Sequence, residues 1–156
     1  MISGHNDGLD QNDAASIVLH ASCVAFDGRA VLILGASGRG KSGLALQLMA
    51  LGAGLVADDR TCLTMTRAGA QGTVIADAPP PLRGLIEARG IGLLHAEAVG
   101  PCDVDLVIDL DQAEVARLPE MRHMELLGQQ IRLLHRVDSP SFPAAILQYL
   151  KVGRYA

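Results

Sequence analysis

The chain has 156 residues, a mass of 16.4 kDa, a hydrophobic fraction of 49% and a net charge of −4 with a pI near 5.6. That length fits one domain able to bury a core without staples, and the acidic balance argues against nucleic-acid or anionic-membrane binding through bulk charge. No apolar run reaches the roughly 18 residues of a membrane span, and the polar, acidic start MISGHNDGLDQND is no signal peptide.

Residues 1–14 lack hydrophobic period and are expected to form a flexible N-terminal arm, with 15–156 as a single domain. Residues 15–26, SIVLHASCVAFD, are β-branched and apolar and predict a strand. Asp27-Gly28 is a hairpin turn signal. Residues 30–34, AVLIL, predict a second, buried strand that runs into a glycine-rich loop. Residues 41–51, KSGLALQLMAL, suit a helix, ended by Gly52 and Gly54. Leu55-Val56-Ala57 predicts a short buried strand that delivers Asp58 and Asp59. Thr61–Thr66 and Thr73–Asp77 suit a hairpin around Gly69–Gly72. Residues 82–94 read as a helical turn followed by a tight loop, 104–110 as a strand, and 112–135 as irregular helical pieces. A C-terminal helix is expected over 140–151, with Pro143 in its first turn.

The loop itself reads Gly35-Ala36-Ser37-Gly38-Arg39-Gly40-Lys41-Ser42, which fits the phosphate-cradling pattern G-x-x-x-x-G-K-[ST]. Its glycines let backbone N–H groups turn inward around an anion. The helix that follows aims its positive end at the same point. Lys41 would reach the β/γ-phosphates of a nucleotide, and the Ser42 hydroxyl would take a Mg²⁺ position. Only two lysines occur beside eleven arginines, and one of them stands where the pattern needs it. Asp58-Asp59, one helix later, could hold Mg²⁺ and act as a base. A rival acidic strand end, Asp109 and Asp111 after Leu106-Val107-Ile108, could supply the metal ligand instead. The cysteines Cys23, Cys62 and Cys102 are far apart and odd in number, which suits a reducing cytosol and offers no metal pair.

Further residues extend the pattern. Glu87-Ala88-Arg89-Gly90-Ile91-Gly92 has the form E-x-R-G-x-G, and His20 lies twenty-one residues before Lys41. Together with the loop and the LVADD strand end, these make residues 15–150 resemble the catalytic C-terminal domain of the HPr kinase/phosphorylase family. The resemblance implies an α/β fold, a mixed β-sheet with flanking helices similar to the HPr kinase and phosphoenolpyruvate carboxykinase-like fold. It implies an ATP- and Mg²⁺-dependent kinase for a serine of the phosphocarrier HPr, or of an HPr-like carrier, regulating a phosphotransferase system. It also implies removal of that phosphate, a cytoplasmic location and a homohexameric assembly.

Carried over by the resemblance, Gly35 to Ser42 would bind nucleotide, and Lys41 would bind phosphate. Ser42, Glu87 and Asp58 would serve the metal. Asp59 would be the base toward the acceptor serine; in reverse it would protonate the leaving serine oxygen or activate the attacking phosphate. His20 would stand beside Asp59, and Arg117 would stabilise charge on the transferring group. Other roles remain open for several of these: a hydrogen-bonded core histidine for His20, a local ion pair for Glu87 and Arg89, a solvated helix end for Arg117. The chain departs from the family in two ways. These residues hold no counterpart to the N-terminal domain of longer members, and a short single-domain form of the alphaproteobacterial type is expected. The later loop linked to dephosphorylation is poorly matched by residues 134–142, with Arg136 as its nearest stand-in, so kinase activity is expected over phosphorylase activity. A small-molecule kinase or nucleotide hydrolase, or a nucleotide sensor without catalysis, are the alternative readings.

Overall fold

A computed structural model describes residues 15–68 and 71–155; the expected arm over 1–14 and the centre of the Gly69–Gly72 turn lie outside them. In chain order the strands are β1 (Ser16–Leu19), β2 (Ser22–Phe26), β3 (Arg29–Leu34), β4 (Gly54–Ala57), β5 (Thr61–Ala68), β6 (Gln71–Asp77), β7 (Leu85–Ala88), β8 (Gly92–His95), β9 (Cys102–Ala113), β10 (Arg122–Leu126) and β11 (Gln129–Arg136). The helices are α1 (Lys41–Ala50), between β3 and β4, and α2 (Phe142–Val152), after β11.

Nine strands form one mixed sheet in the order β1-β5-β6-β9-β3-β2-β4, with β11 also on β9 and β10 on β11. The centre is parallel: β3 and β11 both run with β9, as in Leu32 opposite Val107 and Leu133 opposite Val107. β2 pairs antiparallel with both β3 and β4. β7 and β8 form a separate hairpin, tied to β4 by Leu55 N–H on the Glu97 carbonyl at 3.2 Å.

Strand β3 shows why the sheet is buried on both sides. Val31 and Ile33 face a core with Leu48 of α1 and Ile146 of α2, while Ala30 and Leu32 face a second core with Leu63, Val74 and Leu126. The second core is closed by strands of the same sheet, so the sheet curls over itself and needs helices on one face only.

Helix α1 has two glycine-dependent ends. Its N-cap is Gly40, at φ 93°, with no side-chain cap. Beyond its C-terminus, Gly52 at φ +112° lets its own N–H reach Met49 and that of Ala53 reach Leu48, the paired closure of a helix that turns left-handed. Helix α2 is held to the sheet at its C-terminal end, where Arg29 donates to the Leu150 carbonyl and Lys151 lies over the Phe26 ring at 4.9 Å.

Three expectations need correction. The 15–26 strand is two strands, broken at His20-Ala21, because β1 pairs with β5 while β2 pairs with β3 and β4. Residues 82–94 are a short 3-10 turn (Pro80–Leu82) followed by the β7–β8 hairpin. Residues 112–135 are not helical: they hold the end of β9, then β10 and β11. Leu, Gln, Glu and Met favour helices locally, but Met124, Leu126, Ile131 and Leu133 pack into the second core at strand spacing. Leu127 and Gly128, at φ 49° and 82°, make the tight turn between them.

Candidate active site

Strand β3 ends at Leu34, the glycine loop follows, and α1 begins at Lys41. The first helical N–H to find a carbonyl four residues back is that of Leu44, on Gly40 at 2.9 Å. The N–H groups of Lys41, Ser42 and Gly43 therefore have no acceptor within the helix and border an adjoining cleft of about 340 Å³. Lys41 is buried, and its ammonium donates to the Gly35 carbonyl at 2.6 Å and the Ala36 carbonyl at 3.3 Å.

The opposite wall of the cleft carries His20, Asp59, Glu87 and Arg89. His20 Nε2 is 2.9 Å from Asp59 Oδ1, and both side chains are more than half exposed to the cleft. Asp59 has φ 67°, and the N–H of Arg60 donates across it to the Asp58 carbonyl at 2.7 Å. This is a tight, strained three-residue turn of the kind found at functional sites. The turn sends the two adjacent carboxylates to different places, Asp59 outward and Asp58 inward.

Asp58 is 5% exposed, and both of its carboxylate oxygens accept hydrogen bonds. Its Oδ1 accepts from Ser22 Oγ at 2.6 Å and from Ser42 Oγ at 2.7 Å, and its Oδ2 accepts from the Glu87 N–H at 3.0 Å. One buried carboxylate thus fastens the glycine loop, strand β2 and the β7 strand together. Ser22 was absent from the sequence reading. Its signal is a polar residue just after His20 in an otherwise apolar run.

The rival pair lies on the far side of the loop. Asp111 accepts from the Ala36 N–H at 3.0 Å and pairs with Arg39 at 3.2 Å, while Asp109 accepts from the Asp111 N–H at 2.9 Å. Neither hydrogen-bonds Ser42, whereas Asp58 does. Glu87 and Arg89 form no ion pair with each other in the structure; both border the cleft. Arg117 does not. It sits exposed in the 114–121 connection, a loop closed by the Glu114–Arg122 pair at 3.2 Å. Arg136 also lies elsewhere, donating to Asp138 and to the Leu110 carbonyl at 3.0 and 2.6 Å.

Among the described residues no group of three His, Cys, Asp or Glu side chains gathers as a metal cage. The oxygens of Ser42, Asp58 and Glu87 are nonetheless a donor set that fits Mg²⁺. That ion takes few protein ligands and completes its shell with water and substrate phosphate.

The family described as HPr Serine kinase C-terminal domain matches residues 11–134. The chain belongs to this family. Relatives named HPr kinase/phosphorylase include that of Ralstonia nicotianae, 33% identical over 137 residues, covering 81% of this chain and 41% of the relative. The one from Alkaliphilus metalliredigens is 36% identical over 135 residues, covering 79% and 43%. The one from Caldanaerobacter subterraneus is 37% identical over 137 residues, covering 83% and 42%. The chain thus spans about two fifths of the length of the curated relatives it matches. The Hpr(Ser) kinase/phosphatase of Coxiella burnetii shares the fold, with a TM-score of 0.70 at 24% identity, covering 86% of this chain and 88% of that one. Matches from β-proteobacteria and Firmicutes mean that the family assignment is not specifically alphaproteobacterial.

Proposed function

We propose that residues 15–156 act as one kinase domain that transfers the γ-phosphoryl group of ATP to a serine of an HPr-type carrier. The observation that carries this reading is the His20–Asp59 pair facing Lys41 and Ser42 across one cleft. A phosphoryl donor and a hydroxyl acceptor can meet there.

In the forward direction the loop N–H groups and Lys41 hold the phosphates and neutralise their charge. Ser42, Asp58 and Glu87 would hold Mg²⁺, which would supply further charge neutralisation on the phosphates. Asp59 accepts the proton of the serine hydroxyl as its oxygen bonds to the γ-phosphorus and the β–γ bridge breaks. His20 orients the Asp59 carboxylate. In the reverse direction Asp59 takes a proton from inorganic phosphate, whose oxygen bonds to the phosphoserine phosphorus to give pyrophosphate as the serine O–P bond breaks, and Asp59 returns the proton to the leaving serine oxygen. Arg136, tied to Asp138 and Leu110, supplies no group to this cleft, so we expect the forward reaction to dominate. A homohexamer is part of this proposal, with Arg117 assigned to the cleft of an adjoining subunit; sedimentation velocity that finds a monomer at working concentration would remove that role.

The cytoplasmic location is part of the same proposal. No helix among the described residues is long and apolar enough to cross a membrane. Incubation with labelled ATP, Mg²⁺ and the HPr-type carrier of the same genome tests the reading. Label on the carrier serine is expected; none, with nucleotide still bound, would favour the sensor alternative.

A further inference from the structure

We propose that a second groove, on the other side of the glycine loop, holds the base and ribose of the donor nucleotide. This rests on the reading of the loop as a nucleotide phosphate site. The groove measures about 230 Å³ and joins the catalytic cleft at Gly40, which borders both. The cleft and groove together lie well inside the range of roughly 300–1,000 Å³ typical of sites for small organic ligands.

The direction follows from the topology. β3 leads into the loop, with β2 and then β4 on one side and β9 on the other. Asp58, Asp59 and His20 all lie at the β2–β4 side, so the terminal phosphate must point there to be transferred. A bound triphosphate then leaves the loop toward β9, where the groove opens. Its walls come from α1, the end of β9 and the start of α2: Leu44, Leu110, Val137, Phe142 and Pro143 are apolar. An aromatic base gains by covering such surface. Arg39 borders the mouth, its guanidinium held by Asp111 at 3.2 Å, and a planar guanidinium stacks well on a base. Gln47, Asp138 and Ser139 place polar atoms around the edge.

The groove is pre-formed by contacts unused in catalysis. Arg136 bridges Asp138 to the Leu110 carbonyl, which fixes the 137–139 segment against the end of β9. The Phe142 N–H on the Ser139 carbonyl, at 3.0 Å, carries that segment into α2. A site fixed in advance spends little binding energy on ordering.

Photolabelling the unaltered chain with 8-azido-ATP and Mg²⁺ reads the position of the base directly. Label is expected in peptides spanning 44–47 or 137–143; label only elsewhere, or none, overturns the proposal. Gln47→Trp and Val137→Trp, both at exposed positions, would fill the groove. Calorimetry should show ATP affinity falling at least about tenfold while tripolyphosphate affinity stays within about twofold. An equal change for both ligands, or no change for either, overturns it. Neither readout uses the carrier, so failure here and failure of carrier phosphorylation are separate results.

Discussion

Asp59 occupies a backbone conformation that few side chains tolerate, and this makes its two contributions separable. Asp59→Asn keeps the left-handed preference, because Asn adopts that region as readily as Asp, but removes the base. Transfer to the carrier should fall by about 10²–10⁴ with ATP affinity retained, as steady-state kinetics and calorimetry would show. Asp59→Gly should lose transfer equally and melt no lower than the parent, since glycine relieves the strain at φ 67°; a drop in Tm would refute the strained-turn account. Asp58 behaves differently. Asp58→Ala strips the acceptor from the buried Ser22 hydroxyl, at a cost of about 1–3 kcal/mol, so denaturant melts should show lower stability even without nucleotide. Far from the cleft, Glu114 has its carboxyl held below the usual carboxylate range, first by the Arg122 hydrogen bond and then by the Ala116 N–H. A depressed folded value means stabilisation present above the ordinary carboxylate range and lost as pH falls through the lowered one. The Tm difference between the parent and Glu114→Gln should therefore shrink on acidification. At this scale the glycine-loop pattern singled out Lys41 and Ser42, while the aspartate pair needed the loop and the family resemblance beside it. The sequence hid Ser22, whose partner is 36 residues away in the chain.

At the scale of elements, the loop and α1 were legible because the pattern dictates a strand before and a helix after. The β7–β8 hairpin was not. Its residues LRGLIEARGIGLL carry glycines at irregular intervals, and only two strands of four residues each form. β10 and β11 were misread for a different reason: their leucines and glutamines satisfy helix propensity, while their burial in the second core comes from partners distant in sequence. Helix α2 was expected, but its importance to the site was not. Ile146, fully buried, packs in the core that also contains Leu48 of α1. Ile146→Ala should cost about 2–5 kcal/mol in chemical denaturation. It should also loosen the seat of α1, so nucleotide affinity should fall with it; unchanged affinity would mean that α2 supports the fold alone.

At the scale of the whole molecule, length bounded the domain count, and the residue patterns along the chain carried the family resemblance and with it the fold class. The curl of the sheet came from neither. It depends on β9, whose twelve residues pair with β6 near one end, with β3 along one edge and with β11 near the other end. Such pairing is set by long-range contacts, which no local pattern records. The curl places Cys23 in the second core at 0% exposure, where burial pushes its thiol well up. Cys23 should resist alkylation at neutral pH until the whole domain opens. Labelling with iodoacetamide over a denaturant series, with fragments mapped by mass, should give Cys23 the global unfolding free energy. Faster reaction in native buffer would reveal partial opening of the sheet.

Lys41 has a consequence for the protein without ligand. Its ammonium donates to the Gly35 and Ala36 carbonyls, the partners that phosphate oxygens would have to displace on the proposed function. Nucleotide entry is then a replacement of partners rather than the filling of an open charge. Nucleotide affinity would then be the difference between two occupied states, and the loop is itself tied together by the residue proposed to grip the substrate. Lys41→Met should consequently lower Tm with no nucleotide present.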